Sequence, residues 1–585
     1  MRLRAATRAV PWALMLIPAW LLVWSAYAIW LTYSPVPFND QWVNLAALRD
    51  ARHGGWLRYL FSQHNEHRIL FPRLVFMADL MWFQGRNALN LIAIGLLQAA
   101  GAACFLRAAL TQRLGALGVL ALSAALAMVF SLMQWENLFW GFQVSFVAVY
   151  AAAAWAIYVY FLAAPDDGQV RWGLMAVAMA LLVLATFSMA NGVFAGVAMA
   201  LTGIVTRQRR AAIATAAIAT AVLLSVYLYG YHRVEAHSPP GLALQHPGRF
   251  VFYVAIYFGN LWAPGHPGFA ALIGLVGAAA TACMLFVLTR KGAADPVRAT
   301  LFGVVLFVGM SAAVTSLGRL SFGAEQAMAS RYITPTAYFW AAQALFWALT
   351  LERNATEWLT LRRSPTAWTL TLRRGFSTWL QIGLAVMLGL TILRLVELQR
   401  LGELQVLGTR ERILTGSSAL LGGIQDEQAV RDVYPDPRVV ADLTPIMRDR
   451  RLAIFADPPV ATVGRPLGRP VAASAGACRG FFDVLEPANG GDGVWRAIGW
   501  GWDVKARRSF SRVVLADGAG QVLGIGISGL PRPDVQKAVR EVRDGYAGWL
   551  VRLRPGAGPG GGEVVAYGIT RAGAACELGR KAWGS

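Results

Sequence analysis

The polar residues best suited to chemistry in this chain follow its first apolar segment. Asp40 lies in the sequence "SPVPFNDQWVNL", between a stretch with Pro and aromatic residues and the start of a helical pattern. A partly desolvated carboxylate at a membrane interface can act as a general base on a substrate delivered by a lipid. An aspartate directly before a helix is also a common N-cap, and the two roles are compatible. Asp40 is therefore a candidate catalytic residue, with helix capping as the alternative.

A second polar group follows a short distance further along the chain. The sequence "SQHNEHR" supplies His64, Glu66, His67 and Arg68. Histidine and carboxylate groups three residues apart on a helix face can bind a divalent metal ion, and Glu66 is equally a candidate acid or base. The alternative is a hydrogen-bonded polar cluster without a metal, because two histidines without a fixed third ligand do not define a metal site.

Arginine side chains recur in the loops between apolar segments. Arg68 belongs to the first such loop, and a later loop, "TSLGRLSFGAEQAMASRYITP", contributes Arg319, Arg331 and Tyr332. The guanidinium fork matches the oxygens of a phosphate, so these residues predict a site for a lipid-borne phosphate. The alternative is a solvated or headgroup-facing surface from which arginine side chains reach the interface.

The elements that position these residues are predicted to be membrane-spanning helices. The chain has 585 residues, of which 56% are hydrophobic and 22 are Trp, and its mean hydropathy is +0.47. Such values are typical of a polytopic α-helical membrane protein. About eleven segments are apolar and long enough to cross a hydrocarbon core of about 30 Å. The predicted spans are 11–31, 89–109, 114–133, 144–162, 172–187, 192–205, 211–231, 269–288, 301–317, 332–351 and 378–395.

The positive charges predict the orientation of these helices. Arginine-rich sequences such as "TRQRR" and "RRSPTAWTLTLRR" occupy the even-numbered connections, which the positive-inside rule places in the cytoplasm. The N-terminus is then inside and the C-terminus outside, as a multi-pass protein of a bacterial inner membrane. These loops account for most of the formal net charge of +21, so nucleic acid is not a predicted partner. The segment Arg249–Trp262 is interrupted by Gly and Pro and is predicted to be an interfacial or re-entrant helix.

The C-terminal part of the chain changes character. Short β-rich runs such as "SRVVLADGAGQVLGIGIS" are divided by Gly, Pro and Asp turns, and "DGAG" is typical of a hairpin. This pattern predicts a periplasmic β-sandwich over residues 471–585. Residues 397–470 are the predicted connector, and residues 1–396 are the transmembrane domain, with 32–88 as its first periplasmic loop.

The predicted sandwich contains two cysteines and a group of tryptophans. Cys478 and Cys576 would form a disulfide in an oxidising periplasm, and two unpaired thiols are the alternative. Trp500 and Trp502 alternate to one face of a predicted strand, with Trp495 nearby. Buried aromatic core is the favoured interpretation of these side chains, and stacking on sugar rings is the alternative.

The layout over roughly residues 1–395 resembles the GT-C superfamily of integral-membrane glycosyltransferases. The resemblance is to the lipid-carrier-dependent sugar transferases of the protein mannosyltransferase and aminoarabinose transferase groups. It rests on "FNDQW" after the first span, the helical "HNEHRILFPRLVFMADLMWF" in the first loop, and the later loop ending in "SRYITP". The outer β-sandwich is similar to carbohydrate-binding-like domains of some GT-C arabinosyltransferases.

The resemblance implies an enzyme that moves a sugar from a polyprenyl-phosphate carrier to a glycan, lipid or protein acceptor. The family's catalytic aspartate corresponds to Asp40, which would take a proton from the acceptor hydroxyl in an inverting displacement. Many relatives have paired acidic residues there, whereas this chain has Asn39 and Asp40, so Glu66 is the candidate for the second acidic role. His64, His67, Arg68, Arg319, Arg331 and Tyr332 are the candidate ligands of the carrier phosphate. A divalent metal held by His64, Glu66 and His67 is a further candidate cofactor.

Two functions from other classes remain open from the sequence. A flippase or exporter of lipid-linked glycans would use the same arginines, but it requires ionisable residues deep in several spans, which are nearly free of charge here. A non-catalytic glycan-binding protein of the cell envelope would use the sandwich alone. The sequence therefore favours surface chemistry over transport.

Overall fold

The computed structural model describes most of the chain. The described residues are 12–50, 55–165, 168–235, 237–239, 241–291, 295–360, 367–424, 426–457, 461–467, 477–488, 493–553, 562–570 and 573–583. The chain forms two compact units. The helical unit comprises Met1–Trp30, Trp56–Val75 and Asn90–Glu403, and the mixed unit comprises Leu31–Gly55, Phe76–Leu89 and Leu404–Ser585. The predicted first loop is therefore divided, with Asp40 in the mixed unit and Glu66 in the helical unit.

The described part of the chain is mainly α-helical. In chain order its helices are α1 (Leu16–Thr32), α2 (Gln41–Asp50), α3 (Trp56–Phe61), α4 (Leu70–Trp82), α5 (Ala88–Leu110), α6 (Ala116–Val129), α7 (Trp135–Phe139), α8 (Val144–Ala163), α9 (Trp172–Thr186), α10 (Phe194–Val205), α11 (Arg210–Leu228), α12 (Gly241–Gln245), α13 (Pro247–Gly259), α14 (Pro267–Lys291), α15 (Pro296–Arg319), α16 (Ile333–Thr360), α17 (Ala367–Gly422), α18 (Glu427–Arg431), α19 (Pro437–Asp449) and α20 (Pro533–Ala538).

Eight helical segments in the described residues are long and apolar enough to cross a membrane. They coincide with eight of the predicted spans, and α9 and α10 are shorter apolar helices at two further ones. Large apolar side chains on these helices are exposed, such as Leu96 and Leu393, each 68% exposed. Such exposure suits helices that face lipid, where backbone groups must be satisfied within each helix. The predicted fold class, a polytopic helical membrane protein with a C-terminal β domain, is confirmed.

The segment predicted to be interfacial forms α13. At 13 residues this helix is too short for a span, which needs about 20 residues at 1.5 Å each. It packs closely against α14 through small residues. A Cβ atom at Gly259 would lie 1.8 Å from the carbonyl oxygen of Ala270, and one at Gly274 would lie 1.8 Å from that of Ala255. Glycine at these two positions therefore permits the close approach of the helices.

The last predicted span belongs to a helix much longer than expected. α17 has 56 residues and continues without interruption through the boundary placed at residue 396. The chain passes from the helical to the mixed unit within it, between Glu403 and Leu404. The described residues of the connector expected over 397–470 include the end of this helix, α18 and α19. The residues after 396 are more polar than those before, but they do not end the helix, because no Pro interrupts it.

In the described residues, the C-terminal β domain is built from eight antiparallel strands. They are β1 (Cys478–Pro487), β2 (Trp495–Asp503), β3 (Arg508–Ser509), β4 (Arg512–Asp517), β5 (Val522–Leu530), β6 (Gly548–Leu553), β7 (Glu563–Ile569) and β8 (Ala575–Ala582). The strand order is β1-β2-β6-β5-β4-β7-β8, and β3 pairs with β2. β4 and β5 form the predicted "DGAG" hairpin, in which Gly520 adopts a φ of 82° that favours glycine.

One continuous sheet folds over to form the two layers expected of a sandwich. The edge strands β1 and β8 approach each other, and side chains from both halves fill one core, including Phe482 and Leu578. The disulfide between Cys478 and Cys576 joins these two strands.

The tryptophans of β2 differ in their surroundings. Trp502 is fully buried and packs with Val535, Val542 and Ala547 outside the main β core, whereas Trp500 is half-buried beside this group. The interpretation of Trp502 as core is confirmed, and its indole offers no face to a sugar.

We expect the disulfide to stabilise the folded β domain. Cys478→Ser combined with Cys576→Ser should lower the free energy of unfolding of the mixed unit by about 2–4 kcal/mol, since the bond closes a sequence separation of 98 residues. Thermal unfolding of the full chain in detergent, followed by tryptophan fluorescence, measures this change. Cys283→Ser is the control, because this exposed thiol is free. An unchanged unfolding temperature in the double variant would contradict the prediction.

Candidate active site

A cavity of about 460 Å³ lies within the helical unit. Its volume is in the range typical of small-molecule sites. The charged and titratable side chains that line it include Glu66, His67, Arg233, His237, Arg319 and Arg331. Tyr332 also lines it. Five of the residues singled out in the sequence thus meet in one place.

Glu66 is the centre of the charged group in this cavity. Arg319 Nη2 donates to Glu66 Oε1 at 3.0 Å, and His67 Nε2 lies 3.4 Å from the same oxygen. His237 Nε2 lies 3.4 Å from Glu66 Oε2. The main-chain N–H of Ala190 donates to His67 Nδ1 at 3.3 Å, which places the imidazole proton on Nε2, facing Glu66. One carboxylate therefore faces one guanidinium and two imidazoles.

Two loops meet to build this group. His64 and His67 exchange main-chain hydrogen bonds of 2.7 and 2.8 Å, which close a tight turn around Glu66. The side chain of Gln63 accepts from the main chain of His232 at 3.0 Å and donates back to its carbonyl at 2.5 Å, so the turn is tied to the loop after α11. That loop carries His237.

The end of α15 is tied to the same loop. Ser238 Oγ accepts from the N–H of Ser321 at 2.8 Å and lies 2.8 Å from its hydroxyl oxygen. The N–H of Ser238 donates to the Gly318 carbonyl at 3.2 Å. These bonds hold Arg319, the last residue of α15, beside the loop that bears His237.

The ionisation of the group follows from its burial and charges. Burial raises the pKa of Glu66, but the neighbouring His67 and Arg319 outweigh it and hold that pKa below its ordinary value. Burial lowers the pKa of both His67 and His237 below its ordinary value. Glu66 therefore favours its ionised form, and His67 and Arg319 are the neighbours that stabilise it most.

Arg331 is held in the cavity wall by a second carboxylate. Its Nη1 donates to Glu136 Oε1 at 3.2 Å, and its main-chain N–H donates to Glu136 Oε2 at 2.9 Å. Ser330 Oγ donates to the same oxygen at 3.1 Å, and Asn137 Nδ2 donates to the Arg331 carbonyl at 2.7 Å. Glu136 and Asn137, which lie in α7, thus orient both the main chain and the side chain of the arginine.

Two cavity residues were not predicted from the sequence. Arg233 and His237 lie in the polar loop "YHRVEAHS" after α11. In the described part of the chain, no carboxylate forms an ion pair with Arg233, which is exposed at the cavity. The signal was a loop rich in His and Arg directly after a predicted span, but only the folded chain shows that it meets Glu66.

Two predicted phosphate ligands lie outside the described lining of this cavity. Arg68 donates to the carbonyl groups of Phe61, Tyr227 and Tyr229 through its three guanidinium nitrogens, so it joins the first loop to the end of α11. His64 is buried, and its ring packs against Phe142 with 5.0 Å between ring centroids. Both side chains therefore contact neighbouring protein groups around the cavity.

The predicted metal set of His64, Glu66 and His67 is not formed. His64 turns its ring toward Phe142, whereas Glu66 and His67 face the cavity. Over the residues described, no group of three or more His, Cys, Asp or Glu is placed to hold a metal ion. The Glu66 oxygens instead contact one arginine and two histidines.

Burial of His64 predicts a pH-dependent stability. Burial lowers its pKa from 6.5 to about 4, so it binds fewer protons folded than unfolded between these values. Its contribution is fully present above pH 6.5 and is lost as the pH falls toward 4, on the order of 3 kcal/mol in all. His64→Phe keeps an aromatic ring and should weaken the fall in unfolding temperature between pH 7 and pH 5. Exposed His266→Phe is the control, and equal acid sensitivity in wild type and His64→Phe would contradict the prediction.

Asp40 lies in the mixed unit, directly before α2. It is half-buried, and its carbonyl accepts from the N–H of Val43 at 3.1 Å as the helix begins. The neighbouring Trp42 is fully buried, and its indole donates to the Pro37 carbonyl at 2.9 Å. Burial raises the pKa of the Tyr434 phenol, and the charge of Asp40 adds to this. The "FNDQW" segment is therefore rigidly anchored around a partly exposed carboxylate.

No protein-family model and no curated protein sequence matches the chain. Among solved structures, it is similar to ArnT from Cupriavidus metallidurans in the apo state, with 12% identity and a TM-score of 0.40. It is also similar to ArnT from the same organism bound to undecaprenyl phosphate, with 13% identity and a TM-score of 0.39. Both matches cover 74% of this chain and 89% of the other. The fold and cavity of this chain themselves define a polytopic helical membrane protein with an arginine-lined cavity in its helical unit.

Proposed function

We propose that this protein is a membrane glycosyltransferase that moves a sugar from a polyprenyl-phosphate carrier to a cell-envelope acceptor. The acceptor is a glycan, a lipid or a protein at the periplasmic face of a bacterial inner membrane. The observation that carries the proposal is the cavity lined by Arg233, Arg319 and Arg331 in a unit made of apolar helices. Such a cavity suits a ligand with a phosphate head and an apolar chain.

The charges of the cavity favour an anion. Among the described residues, its three arginines outnumber the two carboxylates that face them, Glu66 and Glu136. Arg233 forms no ion pair with a carboxylate among the described residues, so its guanidinium is available to an incoming phosphate. Guanidinium groups in a partly buried site bind phosphate through charge-assisted hydrogen bonds.

The proposed reaction is an inverting displacement at the anomeric carbon. Asp40 takes the proton of the acceptor hydroxyl as its oxygen bonds to that carbon, and the bond from the carbon to the phosphate oxygen breaks. Negative charge develops on the departing polyprenyl phosphate, and Arg319, Arg331 and Arg233 are the groups proposed to stabilise it. The role of Asp40 rests on the resemblance described above and on its partly buried place before α2.

Glu66 takes a positioning role in this proposal. Its carboxylate contacts Arg319 at 3.0 Å, so we propose that it orients the phosphate-binding arginine. The second acidic role suggested by the sequence stays a prediction. An incoming phosphate competes with Glu66 for the same guanidinium. The carboxylate thus keeps the arginine oriented while the site is empty.

A deletion strain tests the proposed function. Mass spectrometry of its envelope glycans and polyprenyl-phosphate sugars should show the loss of one sugar residue and the accumulation of its lipid-linked donor. Complementation with the wild-type gene should reverse both changes. A flippase would instead leave lipid-linked glycan on the cytoplasmic side, so donor that is inaccessible from the periplasm would contradict the proposal.

A further inference from the structure

A neutral polar cluster lies in the cavity beside the charged group. Asn191 Nδ2 donates to Tyr150 Oη and to Ser311 Oγ, each at 3.1 Å. Three elements supply these side chains, namely α8, the short 3₁₀ helix Ala190–Val193 and α15, and all three residues line the cavity. The cluster adjoins the charged group through Ala190, whose N–H donates to His67 Nδ1.

The cluster has unused hydrogen-bonding capacity. Ser311 Oγ donates to the Phe307 carbonyl at 2.9 Å, and Tyr150 Oη lies 3.4 Å from Tyr257 Oη. Asn191 Oδ1 is shielded from solvent and accepts no hydrogen bond from any described residue. A buried acceptor left without a donor is costly, so the cluster is complete only when a ligand supplies one.

The cluster's chemistry identifies the missing group. A hydroxyl supplies the donor that Asn191 Oδ1 lacks, and an ionised carboxylate does not. An ammonium is disfavoured because the arginines that line the cavity outnumber the carboxylates that face them in the described residues. Aromatic rings border the same space, with Phe146 and Tyr332 also lining the cavity and 6.4 Å between their ring centroids. Aromatic faces with a few precise polar groups suit a sugar ring, whereas a polyprenyl chain would leave Asn191 unsatisfied.

We propose that Asn191, Tyr150 and Ser311 form the subsite for the donor sugar, and that this sugar is neutral and hydroxylated. A sugar hydroxyl donates to Asn191 Oδ1 while the carrier phosphate lies at the arginines. The inference rests on the proposed function, since it assumes that the cavity receives a polyprenyl-phosphate sugar. It goes further by assigning the sugar's chemical class and the residue that recognises it.

Binding measurements on the full chain in detergent test the subsite. The probes are undecaprenyl phosphate alone and undecaprenyl phosphate linked to glucose, mannose, arabinose or aminoarabinose. We expect wild type to bind at least one neutral-sugar probe more tightly than undecaprenyl phosphate. Asn191→Leu and Ser311→Ala should each reduce that preference roughly 3- to 10-fold, the effect of one or two hydrogen bonds, without changing affinity for undecaprenyl phosphate. Ser316→Ala is the matched control on α15, since Ser316 is buried but lies outside the described cavity lining.

The outcomes separate the subsite from the proposed function. Failure of wild type to bind undecaprenyl phosphate would overturn the proposed function itself. Binding of undecaprenyl phosphate without preference for any neutral sugar, or with preference for aminoarabinose alone, would overturn the subsite and leave the phosphate site standing. An unchanged sugar preference in both Asn191→Leu and Ser311→Ala would likewise overturn it. If Asn191→Leu fails to fold, Ser311→Ala decides, because it removes only a hydroxyl.

Discussion

Asp40→Asn should lower the rate of sugar transfer by roughly 10²- to 10⁴-fold while leaving the fold intact, the range for loss of a positioned general base. Asparagine has nearly the size of aspartate and is an equally good helix N-cap, so the start of α2 is preserved. If Asp40 only caps this helix, the substitution is neutral. The measurement is transfer from the donor identified in the deletion strain, with expression and unfolding temperature determined in parallel.

Asp436→Asn provides the matched control for this substitution. Asp436 caps α19 in the same unit, and its side chain accepts from the N–H of Arg438 at 3.0 Å. Its replacement should leave transfer unchanged. Retained transfer in Asp40→Asn would show that Asp40 is a cap and that another group accepts the proton.

Arg319→Gln should weaken binding of undecaprenyl phosphate roughly 10- to 100-fold, because a charge-assisted hydrogen bond contributes about 1.5–3 kcal/mol. It should also raise the pKa of Glu66, since burial then acts on that carboxyl without the opposing charge of Arg319. Titration of the detergent-solubilised protein with undecaprenyl phosphate measures the first effect. The unpaired Glu66 carboxylate should in addition lower the unfolding temperature.

A second substitution separates lost binding from lost stability. Glu66→Gln combined with Arg319→Gln removes both charges, so it should recover the unfolding temperature of wild type without recovering phosphate affinity. Arg249→Gln is the control, since Arg249 is exposed and outside the described cavity lining. Wild-type affinity in Arg319→Gln would remove Arg319 from the proposed phosphate site.

The helices and their class were predictable from the sequence because lipid imposes a simple rule. A segment that crosses a membrane must be apolar over about 20 residues and must satisfy its backbone within itself, so α5, α8 and α14 are visible as runs of apolar residues. The β domain was equally visible, since period-two runs and Gly or Asp turns depend only on neighbouring residues. The end of α17 was not, because helix continuation through polar sequence depends on what packs around it.

The residues of the cavity were predictable in part. Glu66, Arg319 and Arg331 stand out as charged groups in loops between apolar segments, and all three line the cavity. Arg68 has the same type and a similar position, yet its guanidinium is occupied by main-chain carbonyl groups. Residue type therefore indicated which side chains could bind phosphate. The fold decided which guanidinium groups already donate to main-chain carbonyl groups and which line the cavity.

What the sequence determined alone was most of the spans, the β domain and the supply of charged loop residues, since these depend on local hydropathy and periodicity. Only the tertiary structure decided which of these side chains contact each other. Glu66 and Arg319 are 253 residues apart in sequence, and His237 reaches Glu66 through a separate loop. Such pairings arise from the packing of helices distant in the chain, and no local pattern records them. The same packing joins Tyr150, Asn191 and Ser311 and leaves one amide oxygen open to a ligand.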